Sequence, residues 1–367
     1  MEGRRRGATW NPVPAGGQRH GDAQGFHNER SLADAAGATA SGTLAVTMSG
    51  FWPDRKVLVT GGTGFLGSAV RRGLASRSAG RVVALSSADY DLRDREATAQ
   101  MFDTHAPDLV IHLAARVGGI GANQARPADL YLDNLLMGTY VLEEARLHRT
   151  PKTVMIGTIC SYPKFTPVPF TEDSLWTGYP EETNAPYGIA KLAQLVQLQA
   201  NRDQHGQNAI YLMPTNLYGP GDKFHPDVSH VIPALIKKCV EAHEQQAGHI
   251  VVWGTGKASR EFLYVDDAAE GILLAAEHYN AGEPVNLGSN EEMPIGELVT
   301  TIAELVGFEG EIEWDRTKPD GQPRRRVDPG RAEKEFGFKA EVDFREGLAR
   351  TIDWYRANRA EAEARTE

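Results

Sequence analysis

A tyrosine and a lysine four residues apart, Tyr187 and Lys191 in "TNAPYGIAK", form the pattern in this sequence that points most directly to chemistry. Pro186 marks a helix entrance, and on a helix this spacing places both side chains on one face, about one turn apart. A lysine cation beside a phenol lowers the phenol pKa from about 10, so the tyrosine can exchange protons near neutral pH. Ketone reduction by a nicotinamide needs such a proton donor. The alternative is a Tyr–Lys pair on a solvated helix face.

Cys160, in "GTICSYPK", is one of two cysteines in the chain and follows an apolar strand. Most free cysteines are small buried hydrophobes. At the carboxyl end of a strand, where open α/β sheets bind ligands, Cys160 is also a candidate proton-carrying thiol. Cys239 lies in an apolar helical pattern and is predicted to pack in a core. Two cysteines give no disulfide framework and fit a reducing compartment, which predicts a cytoplasmic protein.

A glycine-rich loop, "GGTGFLG" at residues 61–67, follows the first predicted strand. Its G-x-x-G-x-x-G spacing lets the backbone approach a pyrophosphate and directs the next helix N-terminus at the phosphates. After the first strand of a βαβ unit, this pattern predicts a dinucleotide site. Ser86 and Ser87 stand at the end of the second strand, where a carboxylate would favour NAD. The absence of a carboxylate at this position favours NADP(H), with NAD(H) as the alternative. Asp91 is either an adenine-side contact or a loop residue.

The elements that must position these residues alternate along the chain from Lys56 onward. The predicted strands are "KVLVTG", "RVVAL", "DLVIHLAA", "TVMIGT" and "AIYLMP", with helical periods between them. This alternation predicts an α/β fold, a Rossmann-type doubly wound parallel sheet, with a smaller C-terminal substrate-binding lobe. We expect the dinucleotide-binding domain to comprise residues 51–217 with about 261–287, and the lobe to comprise residues 218–260 with 288–360.

Composition narrows the class of protein further. Residues 1–50 are rich in Gly, Ala, Pro and Arg without a helical or strand period, so we expect a disordered leader, with Met48 as the native start. A formal net charge of -10 argues against nucleic acid as a partner. No stretch approaches the roughly 20 apolar residues of a membrane span. No Cys–His spacing indicates a metal site, and His112 is expected to be a satisfied sheet histidine.

Longer motifs make the sequence resemble a known family. The glycine loop, "HLAA" before Arg116, a hydroxyl after strand four and the Y-x-x-x-K pair are together similar to extended short-chain dehydrogenases/reductases. More narrowly, the chain resembles the GDP-L-fucose synthases in "VGGIGAN", "CSYPK", "PEETNAPYGIAK", "MPTNLYGPGDKFHPDVSHVIPAL", "VVWGTGKASREFLYVDD" and "KPDGQPRR". The likeness extends from Lys56 to about Trp354. It implies an NADP-dependent 3,5-epimerase and 4-reductase that converts GDP-4-keto-6-deoxy-D-mannose to GDP-L-fucose or a closely related deoxysugar nucleotide.

The resemblance implies catalytic roles for five residues. Tyr187 and Lys191 take the reductase roles, and Cys160 and His230 fall on the pair that inverts C3 and C5. Thr158 replaces a serine that holds the substrate ketone, and its hydroxyl can make the same hydrogen bond. Protons beside a ketone are acidified, so inversion needs a base on one face and an acid on the other, for which a thiol and an imidazole are suited. Tyr187 and Thr158 would bind the enolate oxygen.

The resemblance also implies binding residues and an assembly. The cofactor-binding residues are Gly61, Gly62, Thr63, Gly64, Phe65, Leu66, Gly67, Ala114, Lys191, Pro214 and Leu217. The residues for a GDP-linked 4-keto-6-deoxysugar are Lys238, Trp253, Arg260 and Lys318. Such reductases often dimerise through the Y-x-x-x-K helix and the helix before it, so a homodimer is expected.

Two other functions stay open on the sequence alone. A nucleotide-sugar epimerase, or a 4-ketoreductase acting on a different NDP-sugar, would keep the fold. The Thr158 replacement and the absence of an arginine near Ser86 and in the glycine loop leave room for that alternative. A non-catalytic dinucleotide sensor or scaffold would also keep the fold, but chemically competent side chains at all five catalytic positions argue against it.

Overall fold

A parallel sheet of six strands lies at the centre of the fold. The computed structural model describes residues 50–365, except residues 227 and 319. The strands are β1 (Lys56–Thr60), β2 (Arg81–Leu85), β3 (Leu109–His112), β4 (Lys152–Ile156), β5 (Ala209–Pro214), β6 (Asn216–Tyr218), β7 (His249–Trp253), β8 (Ser259–Arg260), β9 (Phe262–Tyr264), β10 (Val285–Leu287), β11 (Met293–Pro294), β12 (Glu311–Asp315) and β13 (Arg324–Arg325). The central sheet has the order β10-β5-β4-β3-β1-β2. The strand order reverses between β1 and β3, where open α/β sheets form a ligand crevice.

Helices cover both faces of this sheet. They are α1 (Phe65–Ser76), α2 (Arg95–His105), α3 (Ile120–Ala125), α4 (Pro127–Leu147), α5 (Ala185–His205), α6 (Val231–Glu244), α7 (Val265–His278), α8 (Ile295–Val306), α9 (Gly330–Phe336), α10 (Phe344–Ala357) and α11 (Arg359–Ala364), with 3-10 turns at Ile159–Ser161 and Glu172–Trp176. One core joins the sheet to α1 and α7, and a second joins it to α4 and α5. The predicted Rossmann-type doubly wound sheet is therefore confirmed.

The central strands are continuous apolar runs because helices cover both faces of the sheet. The whole of β3, β4 and β5 is buried. In β1, Val57 and Val59 pack in the core beneath α1 and α7, whereas Leu58 packs in the core beneath α4 and α5. Side chains along a strand point alternately to opposite faces, so a continuous apolar run can supply two cores at once.

A third core lies outside the central sheet. It packs α6, α8 and α10 together, and its buried residues include Ile236, Ile302 and Leu348. Cys239 of α6 is fully buried there, as its apolar surroundings in the sequence predict. The smaller C-terminal lobe thus has a core of its own, while the domain boundaries assigned from the sequence stay a prediction.

Two expectations concern the ends and the surface of the chain. The predicted leader and the Met48 start lie outside the described residues, apart from Gly50. Among the helices of the described part, none is long and apolar enough to cross a membrane.

Candidate active site

The glycine loop after β1 is packed so closely that side chains would not fit at three of its positions. A Cβ on Gly61, which has a φ of +65°, would lie 2.9 Å from the Ala114 backbone nitrogen. A Cβ on Gly62 would lie 2.7 Å from the Ala84 Cβ, and a Cβ on Gly67 only 2.2 Å from the Gly61 carbonyl oxygen. The loop is therefore a bare backbone cradle pressed against β2 and the end of β3, as a pyrophosphate site requires.

The first turn of α1 completes this cradle. Gly64 is its N-cap residue and makes no side-chain cap, and the turn contains no acidic residue. Its backbone N–H groups therefore have no capping side chain, and the helix dipole favours an anion in front of them. Thr63, Phe65 and Leu66 belong to the same loop and first turn, and their predicted contacts with a dinucleotide stay predictions.

Gly67→Ala should disrupt dinucleotide binding, because the new methyl group would meet the Gly61 carbonyl oxygen at 2.2 Å. Displacing α1 from the loop would cost about 1–3 kcal/mol. We expect NADPH to bind at least roughly tenfold more weakly, measured by fluorescence titration. Gly248→Ala is the matched control, because no atom lies within 4 Å of the added methyl group. Equal NADPH affinity in both variants would contradict the proposed cradle.

The end of β2 carries hydroxyls rather than a carboxylate. The Ser86 backbone nitrogen and hydroxyl donate to the Asp89 carboxylate at 2.7 and 2.8 Å. Asp91 is held by Arg93 at 2.7 Å, and the guanidinium lowers the pKa of Asp91 to about 2. An adenine-side contact by Asp91 stays a prediction, since this carboxylate is already paired with an arginine.

Thr158, Cys160 and Tyr187 are brought together where β4 ends. The Thr158 hydroxyl caps the 3-10 turn by accepting a hydrogen bond from the Cys160 backbone nitrogen at 3.1 Å. This turn packs directly on the start of α5, since a Cβ on Gly188 would lie 2.4 Å from the Cys160 carbonyl oxygen. The Ser161 hydroxyl also donates to the Gly188 carbonyl at 2.9 Å. Close packing and a side-chain hydrogen bond therefore hold the turn against the helix, one residue from Tyr187.

The environment sets the protonation of the Tyr187–Lys191 pair. Burial, and then the neighbouring Cys160, raises the pKa of Tyr187 above its ordinary value, against a hydrogen bond from Thr158 that lowers it. Burial alone lowers the pKa of Lys191 to about 8. The lowered phenol pKa that the Tyr–Lys spacing predicts is therefore wrong, because burial raises the pKa of Tyr187. At neutral pH the pair is a neutral, protonated phenol above a lysine cation, which suits a proton donor.

The Lys191 charge should impose an alkaline limit on reduction. Because burial lowers the pKa of Lys191 to about 8, the cation is present below this pH and lost above it. We expect kcat/KM for ketone reduction to fall as pH rises through about 8, followed by NADPH consumption. Burial also lowers the pKa of Lys152 to about 8, at the far end of α7. If Lys191 is responsible, the fall of kcat/KM above about pH 8 should persist in Lys152→Met and disappear in Lys191→Met. The opposite pattern would contradict the assignment.

His112 lies at the end of β3 beneath this pair. Its Nδ1 is 2.8 Å from the Thr60 hydroxyl, but its buried Nε2 has no hydrogen-bond partner among the described residues. The predicted satisfied histidine is therefore satisfied at one nitrogen only. Burial, and then the Lys191 cation, lowers the pKa of His112 to about 3, so the ring is neutral.

His230 is the N-cap residue of α6 and lies on a different element from Cys160. Enclosure by the surrounding chain, and then the Lys223 cation, lowers the pKa of His230, although its side chain is open to solvent. Within the described residues no hydrogen bond joins His230 to Cys160, so its part in proton transfer stays a prediction.

The predicted substrate residues form two groups. The Lys318 amine lies 5.2 Å from the centre of the largely exposed Trp253 ring, and the Lys238 amine donates to the Val251 carbonyl on the same strand, β7. Arg260 lies apart from them and donates to the carbonyls of Ser259, Gln322 and Asp320 at 2.7, 2.6 and 3.1 Å. Arg260 therefore fixes the loop before β13 in addition to any contact with a sugar nucleotide.

Arg325 is the site residue that sequence reasoning missed. Its guanidinium lies 3.8 Å from the Cys160 sulfur.

Of the remaining predicted cofactor residues, Ala114 follows β3, Pro214 ends β5 and Leu217 lies in β6, all near the carboxyl edge of the sheet. Among the described residues, no group of three or more His, Cys, Asp or Glu side chains could hold a metal ion.

The chain is similar in sequence and in structure to proteins named as GDP-L-fucose synthases. The chain is 44% identical to the probable GDP-L-fucose synthase 1 of Oryza sativa subsp. japonica, over 86% of this chain and 97% of that one. It is 38% identical to the GDP-L-fucose synthase of Escherichia coli (strain K12), over 83% and 97% of the two chains. A crystal structure of a GDP-L-fucose synthetase from Naegleria fowleri bound to NADP superposes with a TM-score of 0.78, at 31% identity, over 86% of this chain and 98% of that one.

A family profile covers most of the region built around the central sheet. Residues 57–288 match the NAD dependent epimerase/dehydratase family, a span that includes the glycine loop and the Tyr187–Lys191 pair. The chain therefore belongs to this family, as an extended short-chain dehydrogenase/reductase that resembles the GDP-L-fucose synthases.

Proposed function

We propose that this protein converts GDP-4-keto-6-deoxy-D-mannose to GDP-L-fucose, as an NADP-dependent 3,5-epimerase and 4-reductase. The observation that carries the proposal is the cluster of Thr158, Cys160 and Tyr187, which gathers two hydroxyls and a thiol at the carboxyl edge of the sheet. The 44% identity to a protein named as a probable GDP-L-fucose synthase supports the same reaction.

NADP(H) is the proposed cofactor, and the residues present fit it. The cradle of Gly61, Gly62 and Gly67 and the open N-terminus of α1 would hold the pyrophosphate. Ser86 stands at the end of β2, where a carboxylate-bearing residue would favour NAD, and its backbone nitrogen and hydroxyl donate to the nearby Asp89 carboxylate. The related Naegleria fowleri protein was crystallised with NADP. When bound, NADPH supplies the hydride that reduces C4.

In the proposed epimerisation, side chains of this site move the protons at C3 and C5. The C4 ketone oxygen would accept hydrogen bonds from Thr158 and Tyr187, which stabilise the enolate formed when a neighbouring proton leaves. The Cys160 thiol lies beside Tyr187 and would act on one face of the ring, while His230 would act on the opposite face. Each inversion removes a proton from one face and returns one to the other.

In the proposed reduction, Tyr187 donates the proton that converts the C4 oxygen to a hydroxyl. Burial raises the pKa of Tyr187, so the phenol is protonated when the substrate arrives. The Lys191 cation, also buried, would stabilise the phenolate left behind. The same tyrosine would therefore serve both reactions, first as a hydrogen-bond donor and then as an acid.

Assembly and location complete the proposal. We propose a homodimer that packs α4 and α5 of two copies together, because Tyr131, Leu132 and Val196 expose apolar side chains on these helices. A cytoplasmic location is supported by Cys160 and Cys239, which are both free.

The test is to incubate the protein with GDP-4-keto-6-deoxymannose and NADPH in deuterated water and to analyse the products by NMR. Oxidation of NADPH with deuterium at C3 and C5 of an L-sugar is the expected result. Deuterium uptake without NADPH oxidation would favour a nucleotide-sugar epimerase, and oxidation without deuterium a 4-ketoreductase. If neither occurs with NADPH or NADH, the assignment to this substrate is wrong.

A further inference from the structure

An arginine from the C-terminal lobe contacts the thiol of the central domain. Arg325 Nη1 lies 3.8 Å from the Cys160 sulfur, across 165 residues of chain. Arg325 belongs to β13, which pairs with β8, and its carbonyl accepts a hydrogen bond from the Glu261 backbone nitrogen at 3.0 Å. The arginine is therefore held at its backbone by a strand pair and is aimed at the catalytic turn.

The side chain of Arg325 is also held in place. Its Nε donates to Gln322 Oε1 at 3.2 Å, and Gln322 Nε2 donates to the Lys164 carbonyl at 2.8 Å. Lys164 lies four residues after Cys160, so this chain of bonds leads back to the segment that carries the thiol. Gln322 thus links the Arg325 guanidinium to the segment that follows Cys160.

The charge of Arg325 is not neutralised by a carboxylate. Its two neighbours are engaged elsewhere: Arg324 with Glu292 at 2.5 Å, and Arg326 with the Asn290 side chain at 3.1 Å. Across the described residues, no Asp or Glu lies within ion-pair distance of Arg325. Its guanidinium therefore directs an unpaired positive charge at the sulfur.

We propose that Arg325 is a positioning residue for the reaction, the counter-cation that orients Cys160 and stabilises its anionic form. A cation close to a thiol favours the thiolate, the form that accepts protons from carbon. In the proposed epimerisation the proton of the sugar C–H bond moves to sulfur, the electron pair becomes the enolate, and the thiol then releases its proton to solvent. The role in this step rests on the proposed function, whereas the effect on the thiol does not.

Two other ionisable side chains near Cys160, those of Tyr187 and Arg260, do not stabilise a thiolate there. Tyr187 of α5 stays neutral, because burial raises its pKa. Arg260 of β8 lies opposite Arg325 in the strand pair, but its guanidinium is turned to the carbonyls of Ser259, Asp320 and Gln322. Among the described residues, Arg325 is the cation whose side chain contacts the sulfur.

The thiol itself provides the first test. Burial raises the pKa of Cys239 to about 12, and Cys239→Ala leaves Cys160 as the single cysteine of the chain. In this background the rate of alkylation by iodoacetamide is measured against pH without substrate. Arg325→Gln should raise the pH of half-maximal rate by about one unit and slow alkylation at neutral pH by about tenfold. Arg325→Lys should restore most of the reactivity, and Arg324→Gln, the matched control, should change nothing.

A second variant keeps the test decisive if Arg325→Gln does not fold, as judged by circular dichroism. Gln322→Glu places a carboxylate where Oε1 lies 3.2 Å from Arg325, which should neutralise the guanidinium and slow alkylation in the same direction. An unchanged pH profile in the folded variants would overturn the proposal and leave Arg325 a structural residue.

Deuterium exchange into the sugar nucleotide is the second readout. If Arg325→Gln changes thiol reactivity, exchange should fall by a similar factor. If Arg325→Gln slows alkylation of Cys160 but the parent protein shows no deuterium exchange, the proposed function is rejected and the present inference is kept. An active parent whose thiol does not respond to Arg325→Gln would reject the present inference alone.

Discussion

Cys160→Ser should lose deuterium uptake at C3 and C5 by on the order of 10³-fold, because a serine hydroxyl does not release its proton near neutral pH. The substitution changes one atom on a turn that is held against α5 by close packing at Gly188 and by the Ser161 hydrogen bond. NADPH binding should be unaffected, because the glycine loop follows β1 and does not include this turn. Exchange is measured by NMR in deuterated water, and NADPH binding by fluorescence titration.

Cys239→Ala is the matched control for this substitution. Its thiol is fully buried in the core of the C-terminal lobe, so the variant should keep its exchange activity. If Cys160→Ser exchanged deuterium at the parent rate, the thiol would not be a proton carrier and the epimerase half of the proposed function would be withdrawn.

Tyr187→Phe should slow NADPH-dependent reduction by roughly 10³-fold or more, because it removes the acid that protonates the C4 oxygen. Deuterium exchange should fall less, by about 10²-fold or less, since Thr158 remains to bind the enolate. The two reactions of one site would thus be separated by removing one oxygen atom. Single-turnover oxidation of NADPH and NMR exchange, followed on the same samples, give the two rates.

The control for this variant is Tyr179→Phe, which changes a tyrosine whose side chain is 65% exposed. Its reduction and exchange rates should match those of the parent. Equal losses of reduction and exchange in Tyr187→Phe would mean that the phenol acts on the enolate alone and that another group protonates the alkoxide.

The long elements of the fold could be predicted from the sequence because their patterns are long. α1, α5 and α7 each repeat apolar residues at helical spacing, and β1 and β5 are unbroken apolar runs. The short strands β8, β11 and β13 have two residues each, too few to show a period. In α10, Leu348, Ile352 and Tyr355 recur at helical intervals and are buried, which is a helical pattern of the same kind.

The candidate site was predictable where its residues share an element. Tyr187 and Lys191 lie on α5, and Thr158 and Cys160 lie on one turn, so local spacing relates each pair. Arg325 lies 165 residues from Cys160, in a run of three arginines. Nothing in that run distinguishes the arginine that contacts sulfur from its neighbours, because a pairing between two distant strands decides which one is aimed at the thiol.

Protonation could not be predicted from residue types. Placing a lysine four residues after a tyrosine indicates a lowered phenol pKa, but burial raises the pKa of Tyr187 and lowers that of Lys191. Both effects depend on how much water reaches the side chains. The access of water to these two side chains is determined by tertiary packing, so it is known only once the chain is folded.

The contact between Gly188 and Cys160 has a consequence for how this enzyme can vary. The close backbone approach at Gly188 and the Ser161 hydrogen bond to its carbonyl set the separation of the catalytic turn from α5. Neither contact involves the side chain of Thr158, whose hydroxyl caps the turn from the other side by accepting from the Cys160 backbone nitrogen. A side chain at position 188 would meet the Cys160 carbonyl oxygen at 2.4 Å and push the turn away from α5, which would separate the thiol from the phenol. Side chains on the turn can therefore be exchanged more readily than the glycine at position 188, which has no room for a side chain.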